Sequence, residues 1–157
     1  MNKQNLREAE VKELGEIRAL DFQRYAVATG DMNPLYFDED AARSAGHPGI
    51  VAPPNYLSSV LHWDVGPTDD RMRADGTERG MLPPELEGMR LMGGGHQLTL
   101  GQPVRPGDRV TARRSFVEQY QRESKLGRLH FAVYEIVYTN QRSEHLVTCR
   151  HTIIAVE

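Results

Sequence analysis

The sequence has a single cysteine, Cys149, among 157 residues. That excludes an intramolecular disulfide and gives a cysteine-ligated metal site no support. Cys149 sits in the apolar run 146–156, where a thiol behaves as a small hydrophobe. An excess of one charge is also lacking: 19 Lys and Arg against 22 Asp and Glu leave a net charge of −3. The basic residues are dispersed, without the footprint of a nucleic-acid binder, and Arg113-Arg114, the densest pair, is expected on an exposed strand face. No apolar run approaches the roughly 20 residues that a membrane span needs. Residues 1–16 mix both charge signs without a hydrophobic signal core. These shortages set the expectations of a cytoplasmic address, no nucleic acid and no membrane partner. The six histidines show no metal-ligand spacing, so no metal is expected.

What is present fits one soluble globular domain over 1–157, since the chain is too short for a second independent core. The first half carries short elements. Residues 11–20 read as a short strand, and Asp21 as the N-cap of a helix bearing Phe22, Tyr25, Ala26 and Thr29 and stopped by Gly30. Asp31-Met32-Asn33-Pro34 is a turn in which Asp and Asn side chains hold nearby amides and Pro34 blocks propagation. A helix over 38–45 ends at Gly46. The apolar entry Ile50–Pro54 leads into a central helix from Asn55 to about Trp63, with Leu57, Val60 and Leu61 as its buried stripe. Residues 64–88, rich in Gly, Pro and charge, are expected to be a flexible insertion.

The second half reads as four strands, 92–104, 109–120, 128–139 and 145–156, with Arg105-Pro106-Gly107-Asp108 as a type II turn. Leu129-Phe131-Val133 and Tyr134-Ile136-Tyr138 alternate on one strand, so parts of the sheet are covered on both sides. Helices first and a strand meander after them predict an α+β domain with an antiparallel sheet. A long central helix wrapped by that sheet is the hot-dog fold.

The segment Tyr25-Ala26-Val27-Ala28-Thr29-Gly30-Asp31-Met32-Asn33-Pro34-Leu35 resembles the helix-to-loop signature of MaoC-like (R)-specific enoyl-CoA hydratases. Arg105-Pro106-Gly107-Asp108, after Gln102-Pro103-Val104, is similar to that family's second hallmark. Tyr36–Ala42, Ala45–Gly49 and Val51–Pro54 resemble its N-terminal, fungal fatty-acid-synthase-type dehydratase branch, whose members often form one half of a two-part hydratase. The resemblance covers roughly residues 10–156. It implies an enoyl thioester of coenzyme A or an acyl carrier protein as substrate, no cofactor beyond that carrier, and a homodimer or a heterodimer with a second hot-dog subunit.

Hydration of an enoyl thioester needs a base for water, an acid for the α-carbon and donors for the thioester oxygen. The resemblance implies that Asp31 is one member of the acid–base pair, with Asn33 lining the site. The family's histidine position is occupied by Tyr36, whose phenol, with an ordinary pKa near 10, is a poor base at neutral pH. At the helix entry the family's His-Gly is replaced by Pro53-Pro54, and proline has no N–H to offer. Pro54, Asn55 and Tyr56 are therefore the expected substrate-binding residues, with the amides of Asn55 and Tyr56 as donors. His96, after Gly93-Gly94-Gly95, is the candidate substitute histidine.

Asp31 and Asn33 would also serve as plain turn residues, and His47, His62, His130, His145 and His151 as surface, interface or core residues. Three functions stay open on sequence: an acyl-binding subunit of a two-part hydratase, a self-sufficient hydratase using Asp31 with Tyr36 or His96, and a hot-dog thioesterase or non-catalytic acyl-thioester binder.

Overall fold

The computed structural model describes residues 9–60, 68–74, 76, 78–79, 82–125 and 127–157. Strand β1 (Glu10–Glu16) is followed by helix α1 (Ala19–Thr29), helix α2 (Glu39–Ser44) and helix α3 (Tyr56–Val60). Strands β2 (Arg90–Leu100), β3 (Arg109–Ser124), β4 (Gly127–Thr139) and β5 (His145–Val156) complete the chain. They form a five-stranded sheet in the order β1-β3-β4-β5-β2, antiparallel at every pairing. The helical first half packs on one face of this sheet, giving the expected α+β hot-dog fold. The expected residues 61–63 of the central helix, His62 among them, lie outside the described residues. Among the described residues no helix is long and apolar enough to cross a membrane.

Strand alternation decides the inner face. Ala112, Ile136, Tyr138, Val147 and Cys149 lie on it with Phe22, Tyr25, Ala26, Tyr56 and Leu57 in the first core cluster. Cys149 is buried there as a small apolar residue, and Leu57 is fully buried. A second cluster joins Ala132, Tyr134, Ile153 and Ala155 on the same face to Leu82 and Leu86. The expected insertion is therefore not uniform. Leu82 and Leu86 are only 2% and 1% exposed, and a 3-10 turn at Pro84–Leu86 presses them onto the sheet. Residues 64–67, 75, 77, 80 and 81 lie outside the description.

Several expected boundaries move. The first strand ends at Glu16, and α1 begins at Ala19 with Arg18 as N-cap, so Asp21 is a first-turn residue and not the cap. The cause is long-range: Ile17 N–H donates to the Asp108 carbonyl at 2.8 Å and Gly107 N–H to the Ile17 carbonyl at 2.9 Å, fixing the strand end. Asp21 still places negative charge near the helix start, where the dipole favours it. Strand β2 stops at Leu100, and β3 runs on to Ser124. The Arg pair splits by alternation: Arg113 is exposed, whereas Arg114 reaches the inner face with its guanidinium 4.0 Å from the Tyr134 ring centroid.

The Arg105–Asp108 turn forms as expected, with Asp108 N–H donating to the Arg105 carbonyl at 3.2 Å and Gly107 at φ +85°. Asp108 is 3% exposed and accepts from Arg105 N–H (2.9 Å), Asn140 Nδ2 (3.2 Å) and Arg142 (3.2 Å). This buried carboxylate ties the turn to the β4–β5 hairpin.

Candidate active site

The candidate site is built by the end of α1. Gly30 adopts the left-handed conformation (φ +74°), which a side chain would resist, and its N–H closes on the Val27 carbonyl at 3.2 Å. Asp31 N–H returns to the Ala26 carbonyl at 2.9 Å, so the carboxylate leaves the helix end in a fixed direction. Asn33 then caps a 3-10 turn, Pro34–Tyr36, with its Oδ1 accepting from Leu35 N–H at 3.1 Å. Pro34 at the first position has no N–H to waste there. The turn swings Tyr36 back over five residues, and its phenol donates to Asp31 Oδ2 at 3.2 Å.

The two partners differ in setting. Asp31 and Asn33 are exposed, whereas Tyr36 is 5% exposed. Burial raises the Tyr36 pKa above its ordinary value, and the Asp31 charge and hydrogen bond raise it further against a smaller lowering by Asn33. The phenol is therefore a protonated donor at neutral pH. Its backbone is held by Gln23, whose Nε2 donates to the Tyr36 carbonyl at 3.0 Å, and by Val51 N–H on the Leu35 carbonyl at 3.0 Å. Gln23 was not legible as a site residue: it reads as one polar position on the helix face.

At the helix entry Pro54 and Asn55 are exposed, and Tyr56 is buried. The Tyr56 ring packs edge-on against Phe22 and Tyr25, with centroids 6.2 and 5.6 Å away. Its N–H donates to the Pro53 carbonyl at 3.0 Å, which leaves Asn55 as the one of the two expected amides still suited to a thioester oxygen. Ser59 Oγ donates to the Tyr25 hydroxyl at 3.2 Å, tying α3 to α1. The Asp31 loop and the helix entry are thus braced against each other through Leu35–Val51 and Tyr25–Ser59.

His96 stands on β2 opposite His151, with ring centroids 4.4 Å apart. His130 is buried in β4 with Gln121 Nε2 3.2 Å from its Nδ1, and His145 Nε2 is 2.8 Å from Thr148 Oγ1.

Residues 9–149 match the family described as FAS1-like, dehydratase domain region. The chain belongs to this family. The match agrees with the MaoC-like dehydratase resemblance carried by the Gly30–Pro34 loop. In Streptomyces coelicolor, the UPF0336 protein SCO4636 is 31% identical over 96 residues, covering 61% of this chain and 57% of that relative. The chain thus spans little more than half the length of such curated relatives. A 46-residue stretch is 74% identical to the 3-oxo-4,17-pregnadiene-20-carboxyl-CoA hydratase alpha subunit of Mycobacterium tuberculosis, covering 27% of this chain and 15% of that subunit. The fold is similar to that in the ChsH1-ChsH2 complex from Mycobacterium tuberculosis, with a TM-score of 0.78 at 22% identity over 94% of this chain and 83% of that one.

Proposed function

We propose that this chain is the acyl-binding subunit of a two-part enoyl-thioester hydratase or dehydratase, whose acid–base pair a second hot-dog subunit completes. The observation that carries this reading is the Tyr36–Asp31 hydrogen bond. Where the family resemblance places a histidine titrating near neutrality, this chain has a buried phenol whose pKa is raised further. Such a group neither takes a proton from water at pH 7 nor passes one on readily. Asp31, Asn33 and Asn55 remain to bind the thioester end, with Pro54 and Tyr56 shaping the helix entry. The relative named as an alpha subunit, and the two-component complex of similar fold, support a partner. The same relative's name makes a coenzyme A thioester the first substrate to offer, in place of a carrier-protein one.

A second reading draws on the same contact. A phenol already donating to a carboxylate is a complete, if slow, acid–base couple, and a homodimer could then act alone. The deciding experiment incubates the purified chain, alone and with the hot-dog product of an adjacent gene, with crotonyl-, long-chain and bulky enoyl-CoAs. Turnover is expected only in the mixture. Robust hydration by the chain alone would replace the subunit reading with the self-sufficient one.

A further inference from the structure

One face of α1 holds both ends of the loop that carries the Asp31–Tyr36 pair. At its start, Asp31 N–H donates to the Ala26 carbonyl at 2.9 Å. At its end, the Tyr36 carbonyl accepts from Gln23 Nε2, thirteen residues back, at 3.0 Å. Residues 23 and 26 are three apart on the helix and so lie on the same side. The Leu35 carbonyl, on the other side of Tyr36, accepts from Val51 N–H at 3.0 Å. Both peptide groups that flank the Tyr36 Cα are therefore pinned, and each peptide group is planar. With the two planes fixed, the Cα–Cβ bond of Tyr36 has one direction, which sends the phenol to Asp31 Oδ2 at 3.2 Å.

The two pins differ in kind. Val51 uses a backbone N–H, which every residue except proline supplies. Gln23 uses a side-chain amide, so this pin depends on residue identity. The helix itself does not ask for glutamine there, since Met, Lys and Glu form helix about as well. Gln23 is half-buried, whereas the Tyr36 side chain that it steers is 5% exposed.

We propose that Gln23 is a positioning residue for the candidate site: by tying the Tyr36–Phe37 peptide to α1, it keeps the Tyr36 phenol on the Asp31 carboxylate. With one oxygen of Asp31 held in this way, the other has a set direction towards a ligand. Gln23 acts through Tyr36 and meets no substrate itself. For the identity of that ligand the proposal rests on the thioester reading above. A side chain that only capped a carbonyl would add stability without deciding where the phenol goes, and the two roles differ in what the phenol reports.

The test uses the full chain and does not depend on turnover. The six tyrosines are labelled with carbon-13 at the phenol carbon, and Tyr36→Phe identifies the Tyr36 signal in the NMR spectrum at pH 8. Asp31→Ala then gives the position of that signal for a phenol without its carboxylate. In Gln23→Met, which keeps the length but has no donor, the Tyr36 signal should move at least halfway to the Asp31→Ala position. Gln23→Lys, whose ammonium can donate to the same carbonyl, should return it to the parent position. Should Gln23→Met not fold, Gln23→Glu replaces it, because its carboxylate only accepts at pH 8. A Tyr36 signal that stays at the parent position in the folded donor-free variant, that remains displaced in Gln23→Lys, or that ignores Asp31→Ala overturns the proposal. Failure of the thioester reading would look different: crotonyl-CoA is neither bound nor turned over, with or without a partner, while the Tyr36 signal still follows the residue at position 23.

Discussion

The Tyr36 phenol and the Asp31 carboxylate, five residues apart in sequence, meet at 3.2 Å because a single 3-10 turn folds one back onto the other. The donor is buried and the acceptor exposed. A carboxylate held this way faces solvent with one oxygen engaged.

Substitutions at this pair separate the two functional readings. With the partner present, Tyr36→Phe should leave turnover within a few-fold of the parent, and Asp31→Ala should weaken acyl-CoA binding. If Tyr36 is instead the acid, Tyr36→Phe should lower kcat by about 10²–10⁴-fold, the range for loss of an acid–base group. Tyr36→His restores an Asp-to-His spacing with a group that titrates near pH 7. Steady-state kinetics on the unpartnered variant should then reveal hydration that the parent lacks.

Leu86 tests the packing of the segment after α3. It is 1% exposed in the second cluster, so Leu86→Ala should lower unfolding free energy by about 2–5 kcal/mol, as buried leucine truncations do. Urea denaturation of the parent and variant measures this. A change below about 0.5 kcal/mol, the range of an ordinary surface substitution, would show that the segment does not seal the sheet.

Asp108 should matter for folding and not for chemistry. Its carboxylate joins Arg105 N–H, Asn140 and Arg142, so Asp108→Ala should destabilise by about 1.5–3 kcal/mol through lost charge-assisted bonds. Thermal unfolding reads the loss, and acyl-CoA affinity measured well below the midpoint should be unchanged.

Alkaline pH provides a further test. The pKa values of Tyr138, Tyr36 and Tyr56 are all raised above the ordinary 10.0, first by burial. A folded-state pKa above the unfolded one stabilises fully below the unfolded value and is lost as pH climbs through the folded one. Stability should therefore fall as pH rises above about 10. Tyr138 contributes most, since its hydroxyl is buried with no hydrogen-bond partner among the described residues. Tyr138→Phe should be neutral or up to about 1 kcal/mol stabilising at pH 8, and should lose less stability between pH 8 and 11 than the parent. Cys149, also raised by burial, adds to the slope, and because its charge is part of what raises Tyr138 the comparison reads the two groups together.

The sequence by itself determined whatever depends on neighbours a few residues away. The Gly30 stop, the Asn33 cap and the Arg105–Asp108 turn are short-range hydrogen-bonded geometries that residue identity nearly dictates. The alternation of β4 and β5 likewise follows from side chains pointing to opposite faces in turn. Only the tertiary structure decided how separate segments meet. Strand register, shifted by the Gly93–His96 bulge, put His96 opposite His151. Closure of the helix entry turned the Tyr56 amide to Pro53 and away from a substrate. Contact with a distant sheet made core of Leu82 and Leu86 in a stretch whose composition reads as loop. Each of these outcomes turns on which surface an element is pressed against, and that is settled by packing between residues far apart in the chain, not by local propensity.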